Sequence, residues 1–399
     1  MPAPLGISQR AAQIEPSATI AAAQRAKQLK ADGIHVYDFT LGEPDFATPK
    51  HICEAAAAAV AKGQTHYTPS SGIPELRRAI AQRYTQLLGV ECKPNQVIVS
   101  NGAKHSLHNV LTVLCGPGDE VVIPAPYWVS YSELVKLTGA VPRVLQTQAT
   151  NGFKLTPAQL REAITPATRL LMLNSPCNPT GSVYSPDELR ALAAVVLDCN
   201  VAVLSDEIYE HLVYGAAKAV AFASLDSRLV DRTVTVSGVS KSYAMTGWRI
   251  GWSVSPPKVA EAMDSLQSQE TSNPCSVSQY AALAAVVGDQ TCVAEMRAEF
   301  ARRREFVLRR LRSMPGVSVI EPDGAFYAFF SIRDHFGRTL GGRLVNDSAS
   351  FCTAALESAH VAFVAGSAFG AEGYVRMSFA ADMQQLEQGL DRLESLLRG

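Results

Sequence analysis

"TVTVSGVSKSYAMTGWRIGW" (residues 233–252) opens as a β-branched strand run and continues into a segment with one lysine, Lys241, and one arginine, Arg249. A surface turn carries more polar residues than this, and a core segment carries no lysine. Four other short runs open the same way: "QVIVS" (96–100), "EVVIP" (120–124), "RLLMLN" (169–174) and "VAVLS" (201–205). Between several of them lie helix-period patterns, "AKHSLHNVLTVLC" and "SPDELRALAAVVLDCN". Strands alternating with crossover helices predict an α/β fold, a mostly parallel sheet covered by helices. In such sheets ligands bind outside the carboxyl ends of the strands. The residues that follow each run therefore matter most.

They form a consistent set. "QVIVS" is followed by "NGAKHS", where Gly102 turns the chain into a helix beginning at Ala103 and Lys104, a phosphate-binding arrangement. "EVVIP" leads to "APYWVSY", with Trp128 as a flat apolar surface, and "RLLMLN" to "SPCNPTG", which presents Asn178. "VAVLS" is followed by Asp206, Glu207 and Tyr209, and "TVTVS" by Ser240 and Lys241. Each part alone has an ordinary explanation: a solvated lysine, a helix-capping acid, a core tryptophan. Together and in order they match pyridoxal phosphate, which has an aldehyde, a ring nitrogen, a phenolic oxygen and a phosphate. Lys241 is expected to bond the aldehyde and later carry the substrate's α-proton. Asp206 is expected at the ring nitrogen, Tyr209 and Asn178 at the ring oxygen, and Arg249 as a bidentate partner of the phosphate.

The 399-residue chain is too long for one small core, so a large and a small domain are expected. Charged residues make up 18% and hydrophobic ones 47%, a globular composition. A net charge of -1 gives no reason to expect nucleic acid or an anionic membrane as partner. No apolar stretch is long enough to span a bilayer, and "MPAPLGISQR" lacks a signal-peptide apolar region. Eight scattered cysteines without a C-x-x-C pair point to a reducing cytoplasm rather than a zinc or disulfide framework. His105 and His108 lack a third ligand nearby in sequence and read as ordinary helix residues, so no metal is expected. "GPGDEV" precedes a strand and lacks a third glycine, which argues against a dinucleotide site.

The charged helix pattern "EMRAEFARRREFVLRRLRS" (295–313) marks a change of organisation. Beyond it "GVSVIEP", "AFYAFFSI", "VAFVAG" and "YVRMSFA" are shorter and more separated, as in a small α+β domain. The expected division is an N-terminal segment over 1–50 packing with the small domain, a large cofactor-binding domain over 51–295, and a small domain over 296–399.

"SKSYAMTGWRIGW", "NSPCNPTG", "SDEIYEHL", "YTPSSGIPELRRAI" and "FTLGEPDFATP" resemble the class I pyridoxal-phosphate aminotransferases of fold type I. Within these the chain is most similar to bacterial and archaeal aspartate aminotransferases and their prephenate-active relatives, from about Ser8 onward. The resemblance implies that Lys241 is the Schiff-base lysine, Asp206 the pyridine-nitrogen aspartate, Tyr209 and Asn178 the ring-oxygen donors, and Arg249 the phosphate arginine. It places Gly102, Ala103 and Lys104 at the phosphate-binding helix start and stacks Trp128 on the ring. It assigns Arg376, in "YVRMSFA", to the substrate α-carboxylate, and Gly42, in "LGEPDF", to a backbone contact with substrate. Tyr67 matches a tyrosine that reaches the neighbouring subunit's cofactor phosphate, which implies a homodimer with shared sites.

The chain departs from the family pattern in three places. Gly238 stands where many members have a serine three residues before the lysine, leaving Ser237 or Ser240 to supply the phosphate hydroxyl. No arginine occurs between Arg249 and Arg297, so the cross-subunit arginine of some aspartate aminotransferases is absent; in the resembled subgroup a lysine matching Lys104 takes its role. Dual aspartate/prephenate members carry a lysine before "PSAT", where this chain has Glu15, an anion expected near the pocket mouth. The expected activity is transamination between an L-amino acid, aspartate foremost, and 2-oxoglutarate or another 2-oxo acid. A lyase or decarboxylase of the same fold is the alternative. A ligand-sensing regulator is a poorer one, because nothing before residue 15 could supply a DNA-binding segment.

Overall fold

A computed structural model describes residues 6–399. Seven strands form the main sheet in the order Val97–Ser100, Gly251–Val254, Thr233–Gly238, Ala202–Asp206, Thr168–Asn174, Glu120–Ala125 and Val141–Gln146. All neighbours run parallel except those of Gly251–Val254, which is antiparallel to both flanking strands. The α/β reading therefore holds, and five of the seven strands are the runs that define it. The other two left a weaker signal. Val141–Gln146, "VPRVLQ", is an edge strand that tolerates a proline and exposes Val141. Gly251–Val254 is reached from Thr233–Gly238 without a crossover helix and lies inside the segment read for its lysine and arginine.

The central strands Ala202–Asp206, Thr233–Gly238 and Gly251–Val254 are buried almost throughout because helices cover both faces, which explains their mostly aliphatic, β-branched or small residues. The crossover helix Pro186–Cys199 starts at a reciprocal cap. The Glu188 N–H donates to Ser185 Oγ at 3.2 Å and the Ser185 N–H to Glu188 Oε2 at 2.7 Å, an arrangement worth about 0.5–2 kcal/mol. At one end of the sheet Gly238 and Gly251 face each other in register. A Cβ on Gly238 would stand 2.9 Å from the Gly251 Cα, and one on Gly251 would collide with the backbone of Gly102 and Ala103. The departure at Gly238 thus has a steric reason. The glycine pair lets the helix Ala103–Leu114 begin directly against the strand ends.

A second sheet of four antiparallel strands, ordered Val364–Ala365, Tyr374–Ser378, Tyr327–Ser331 and Ser318–Ile320, packs with the helices Ser348–Ala359 and Met383–Arg398. The strand Tyr37–Asp38 pairs in parallel with Val361–Ala362. The helix Ala18–Ala31 packs Ala26 and Leu29 with Val36, Leu356 and Ala362. The helix Thr291–Ser313 belongs to both cores: Val293 joins the cluster around Trp252, while Met296, Phe300, Val307 and Leu311 join the cluster around Phe326.

Candidate active site

One cavity of about 760 Å³ opens where the strand ends meet the second sheet. Its lining includes Gly42, Ala103, Lys104, Trp128, Asn178, Asp206, Tyr209, Ser240, Lys241, Arg249 and Arg376, so the structure brings these residues of the expected site together. Gly102 sits behind it, at φ 87°, as the residue capping the helix Ala103–Leu114. A Cβ there would meet the Arg249 guanidinium at 2.5 Å, so the glycine makes room for that arginine beside a helix start that no side chain caps by a hydrogen bond. Free N–H groups, the helix dipole and a guanidinium at one point suit a phosphate.

Ser237 is not at this point. It is buried, donates to Glu210 Oε1 at 2.6 Å, and is absent from the cavity lining; Ser240 is the serine that lines it. Tyr67 also lies outside the cavity of its own chain, with its side chain 91% exposed. Glu15, expected near the pocket mouth, does not itself line the cavity. It is exposed, its backbone N–H donates to Glu133 Oε2 at 3.0 Å, and the N-terminal wall of the cavity is made instead by Thr19, Ile20, Ala23, Gln24 and Lys27. A proline and a helix start separate Glu15 from that wall. His105 and His108 both face Glu270, with His108 Nε2 3.1 Å from its Oε1, and among the described residues no group of three metal-ligating side chains forms.

The remaining geometry is that of a polar cup on an apolar floor. Asp206 ends its strand in register with Asn174, whose Nδ2 donates to the Asp206 carbonyl at 2.9 Å. Burial pushes the Asp206 carboxyl up to about 6, while a hydrogen bond from Tyr131 Oη at 2.6 Å and the nearby Lys241 charge hold it down. Lys241 Nζ donates to the Gly42 carbonyl at 2.5 Å. Enclosure lowers its pKa to about 8, with Arg376 and Arg249 adding to the drop and Glu43 opposing it. Arg376 is buried, stacks 4.6 Å over the Tyr327 ring, and donates to Asn178 Oδ1 at 3.0 Å and to the Thr40 carbonyl at 2.6 Å. Its Nε has no partner among the described residues, a donor left for a ligand. Lys104 Nζ sits 4.8 Å over the Trp128 ring, its pKa lowered by desolvation and by Arg249.

Tyr131, Tyr327 and Asn174 line the cavity and were not singled out in the sequence. Tyr131 carried a signal: it follows Trp128 by three residues, one helical turn, in "APYWVSY". Asn174 ends the run "RLLMLN". Tyr327 sits in "AFYAFFSI", where an aromatic reads as core and nothing marks it otherwise.

The description of the family "Aminotransferase class I and II" matches residues 34–393. The chain is 46% identical over 391 residues to an aspartate aminotransferase of Geobacillus stearothermophilus, covering 98% of each. It is 43% identical to an aspartate/prephenate aminotransferase of Nitrosomonas europaea, covering 98% of this chain and 99% of that one. Among solved structures, the aspartate aminotransferase from Rhizobium meliloti superposes with a TM-score of 0.95 at 40% identity over 99% of both chains.

Proposed function

Because the chain belongs to the class I and II aminotransferase family and is a pyridoxal-phosphate-dependent aminotransferase, we propose that its preferred donor is aspartate, with 2-oxoglutarate or another 2-oxo acid as acceptor. The observation that carries this reading is Lys104. It lines the same cavity as Arg376 and has no carboxylate partner among the described residues, so the site offers two cations to a substrate with two carboxylates. The relatives named above as aspartate and aspartate/prephenate enzymes agree with it.

The residues divide the work as follows. Ser240, Arg249 and the helix start at Ala103 and Lys104 hold the cofactor phosphate, and Trp128 covers the ring. Tyr209 and Asn178 donate to the ring oxygen, and Asp206 holds the proton on the ring nitrogen. The cofactor supplies a conjugated ring that accepts the electron pair released when the α-proton leaves. Lys241, with its pKa lowered to about 8, has a substantial neutral fraction near neutral pH, so its amine can bond a carbonyl and then carry that proton. Arg376 grips the α-carboxylate, and the Gly42 backbone borders the same space.

The assembly is a homodimer in which Tyr67 reaches the partner's phosphate. Its 91% exposure supports this, as do Val60 and Val287, exposed on the packed helices Lys50–Ala61 and Ser276–Val287. All eight cysteines are free, which supports a reducing cytoplasmic setting, and among the described residues no helix is long and apolar enough to cross a membrane. Twenty amino acids assayed against 2-oxoglutarate, with product identification, test the donor. Faster oxo-acid formation from aspartate than from any other donor supports the reading, and a preferred aromatic or neutral donor overturns it. Lys241→Ala is expected to abolish the visible cofactor band and at least roughly 10²–10⁴ of the rate.

A further inference from the structure

The hydroxyls of Tyr209 and Tyr327 lie 2.9 Å apart, both side chains are buried, and Tyr327 has no solvent exposure at all. The rings meet edge-on at 5.9 Å, so the contact is fixed by packing as well as by the hydrogen bond. The Tyr327 hydroxyl makes no other hydrogen bond among the described residues. A tyrosine hydroxyl has one proton to give. If Tyr209 gives its proton to the cofactor's ring oxygen, the 2.9 Å contact persists only with Tyr327 as donor. The other orientation sets two lone pairs against each other in a buried site, which costs a full unmade hydrogen bond.

The surrounding charges favour the same direction. Burial raises the pKa of both hydroxyls, but at Tyr327 the stacked Arg376 guanidinium is the chief opposing influence. At Tyr209 burial likewise raises the pKa, with the Tyr327 neighbour and Asp206 adding to it and Arg376 opposing it. The guanidinium stacked directly on the Tyr327 ring makes Tyr327 the readier donor.

We infer that Tyr327 is a positioning residue that sets the direction of the Tyr209 proton, so that Tyr209 presents its O–H, never a lone pair, to the cofactor's ring oxygen. The inference rests on the role of Tyr209 proposed above. It assigns to the second sheet, through one residue of the strand Tyr327–Ser331, a part in tuning the ring as well as in holding Arg376.

The test follows the visible absorbance of cofactor-loaded enzyme against pH for wild type, Tyr327→Phe, Tyr209→Phe and the double variant. The band itself reports that each protein has folded around its cofactor. Donors in series strengthen the terminal one, so losing the Tyr327 hydroxyl weakens Tyr209 as a donor. Negative charge on the ring oxygen is then less stabilised, and the protonated form persists to higher pH. Tyr327→Phe is expected to raise the transition by roughly 0.5–1 pH unit, the worth of one neutral hydrogen bond. Tyr209→Phe is expected to raise it further, and the double variant to match Tyr209→Phe. Glu43, Arg376, Arg249 and Asp206, the charged groups that face Lys241, are the same in all four proteins. An unmoved transition in Tyr327→Phe overturns the inference, as does a Tyr327→Phe shift that stays the same size when Tyr209 is already phenylalanine. An unmoved transition in Tyr209→Phe removes the reading of Tyr209, and the inference with it.

Discussion

Tyr131 donates its hydroxyl proton to Asp206 Oδ2 at 2.6 Å, and its ring meets that of Trp128 edge-on with centroids 5.5 Å apart. One turn of chain, closed by the Tyr131 N–H donating to the Trp128 carbonyl at 2.9 Å, thus supplies both a flat wall of the cavity and a donor to the Asp206 carboxylate. Tyr131→Phe keeps the packing and deletes the donor. The Asp206 carboxylate then holds a proton more tightly, so the acidic limb of kcat/KM against pH is expected to move upward by roughly 0.5–1 unit. A pH–rate profile with an unmoved acidic limb removes Tyr131 from the site's electrostatics.

Glu207, the next residue, turns away from the cavity into the large domain and accepts from Ser205 Oγ at 2.8 Å and from the Phe222 N–H at 3.1 Å. Burial, with the Glu210 charge nearby, raises its pKa to about 8. A folded-state pKa above the unfolded one means the stability it contributes is complete below about 4.5 and is lost as pH rises through about 8. Glu207→Gln keeps an acceptor oxygen for both donors and cannot ionise. Its melting temperature is expected to exceed that of wild type by roughly 2–4 °C or more at pH 9 and to differ little at pH 5. Equal differences at both values remove ionisation as the cause.

Tyr67 is exposed in its own chain, so the proposal of a site shared between subunits has a direct test. Mixing Lys241→Ala chains with Tyr67→Ala chains forms hybrids with one doubly defective site and one intact site. Activity above the sum of the two parents is the expected result. No recovery after proven subunit exchange rules out sharing through Tyr67.

Lys104→Ala separates two uses of one cation. As a ligand of the distal carboxylate in a partly desolvated cleft, its loss costs about 2–5 kcal/mol, which lowers kcat/KM for aspartate by roughly 30-fold or more. Alanine and phenylalanine as donors are expected to change little. Equal losses for acidic and neutral donors, at saturating cofactor, return Lys104 to the phosphate.

What the sequence made legible is what strand ends carry. A buried parallel strand is a mostly apolar run, and Asp206 at the end of one strand, Asn178 four residues beyond another and Lys241 three residues beyond a third stand out against that contrast. Tyr327 lies among aromatics on a strand buried along nearly its whole length, and its hydroxyl gains meaning only beside Tyr209, 118 residues away. The wall formed by Ala18–Ala31 was hidden for a related reason. That helix shows weak amphipathic contrast, with alanines along both its core-facing and cavity-facing sides, so its pattern does not say which residues meet a ligand. The two serines could not be separated either, because the choice depends on Glu210, which captures Ser237 from across the sheet end.

The helix Thr291–Ser313 spans the expected division at 295/296 without a break, and at 1.5 Å per residue its 23 residues reach about 34 Å. Its first turn is anchored among the residues around Trp252 and the rest among those around Phe326. A genetic crossover at 295/296 between two relatives would splice the two parents within this helix; the core around Trp252 would stay with one parent, while the core around Phe326 would set that parent's Tyr37, Phe39, Ile208 and Leu212 against the other's Met296 and Phe300. The two halves are architecturally distinct, yet the core of the smaller one is built from both.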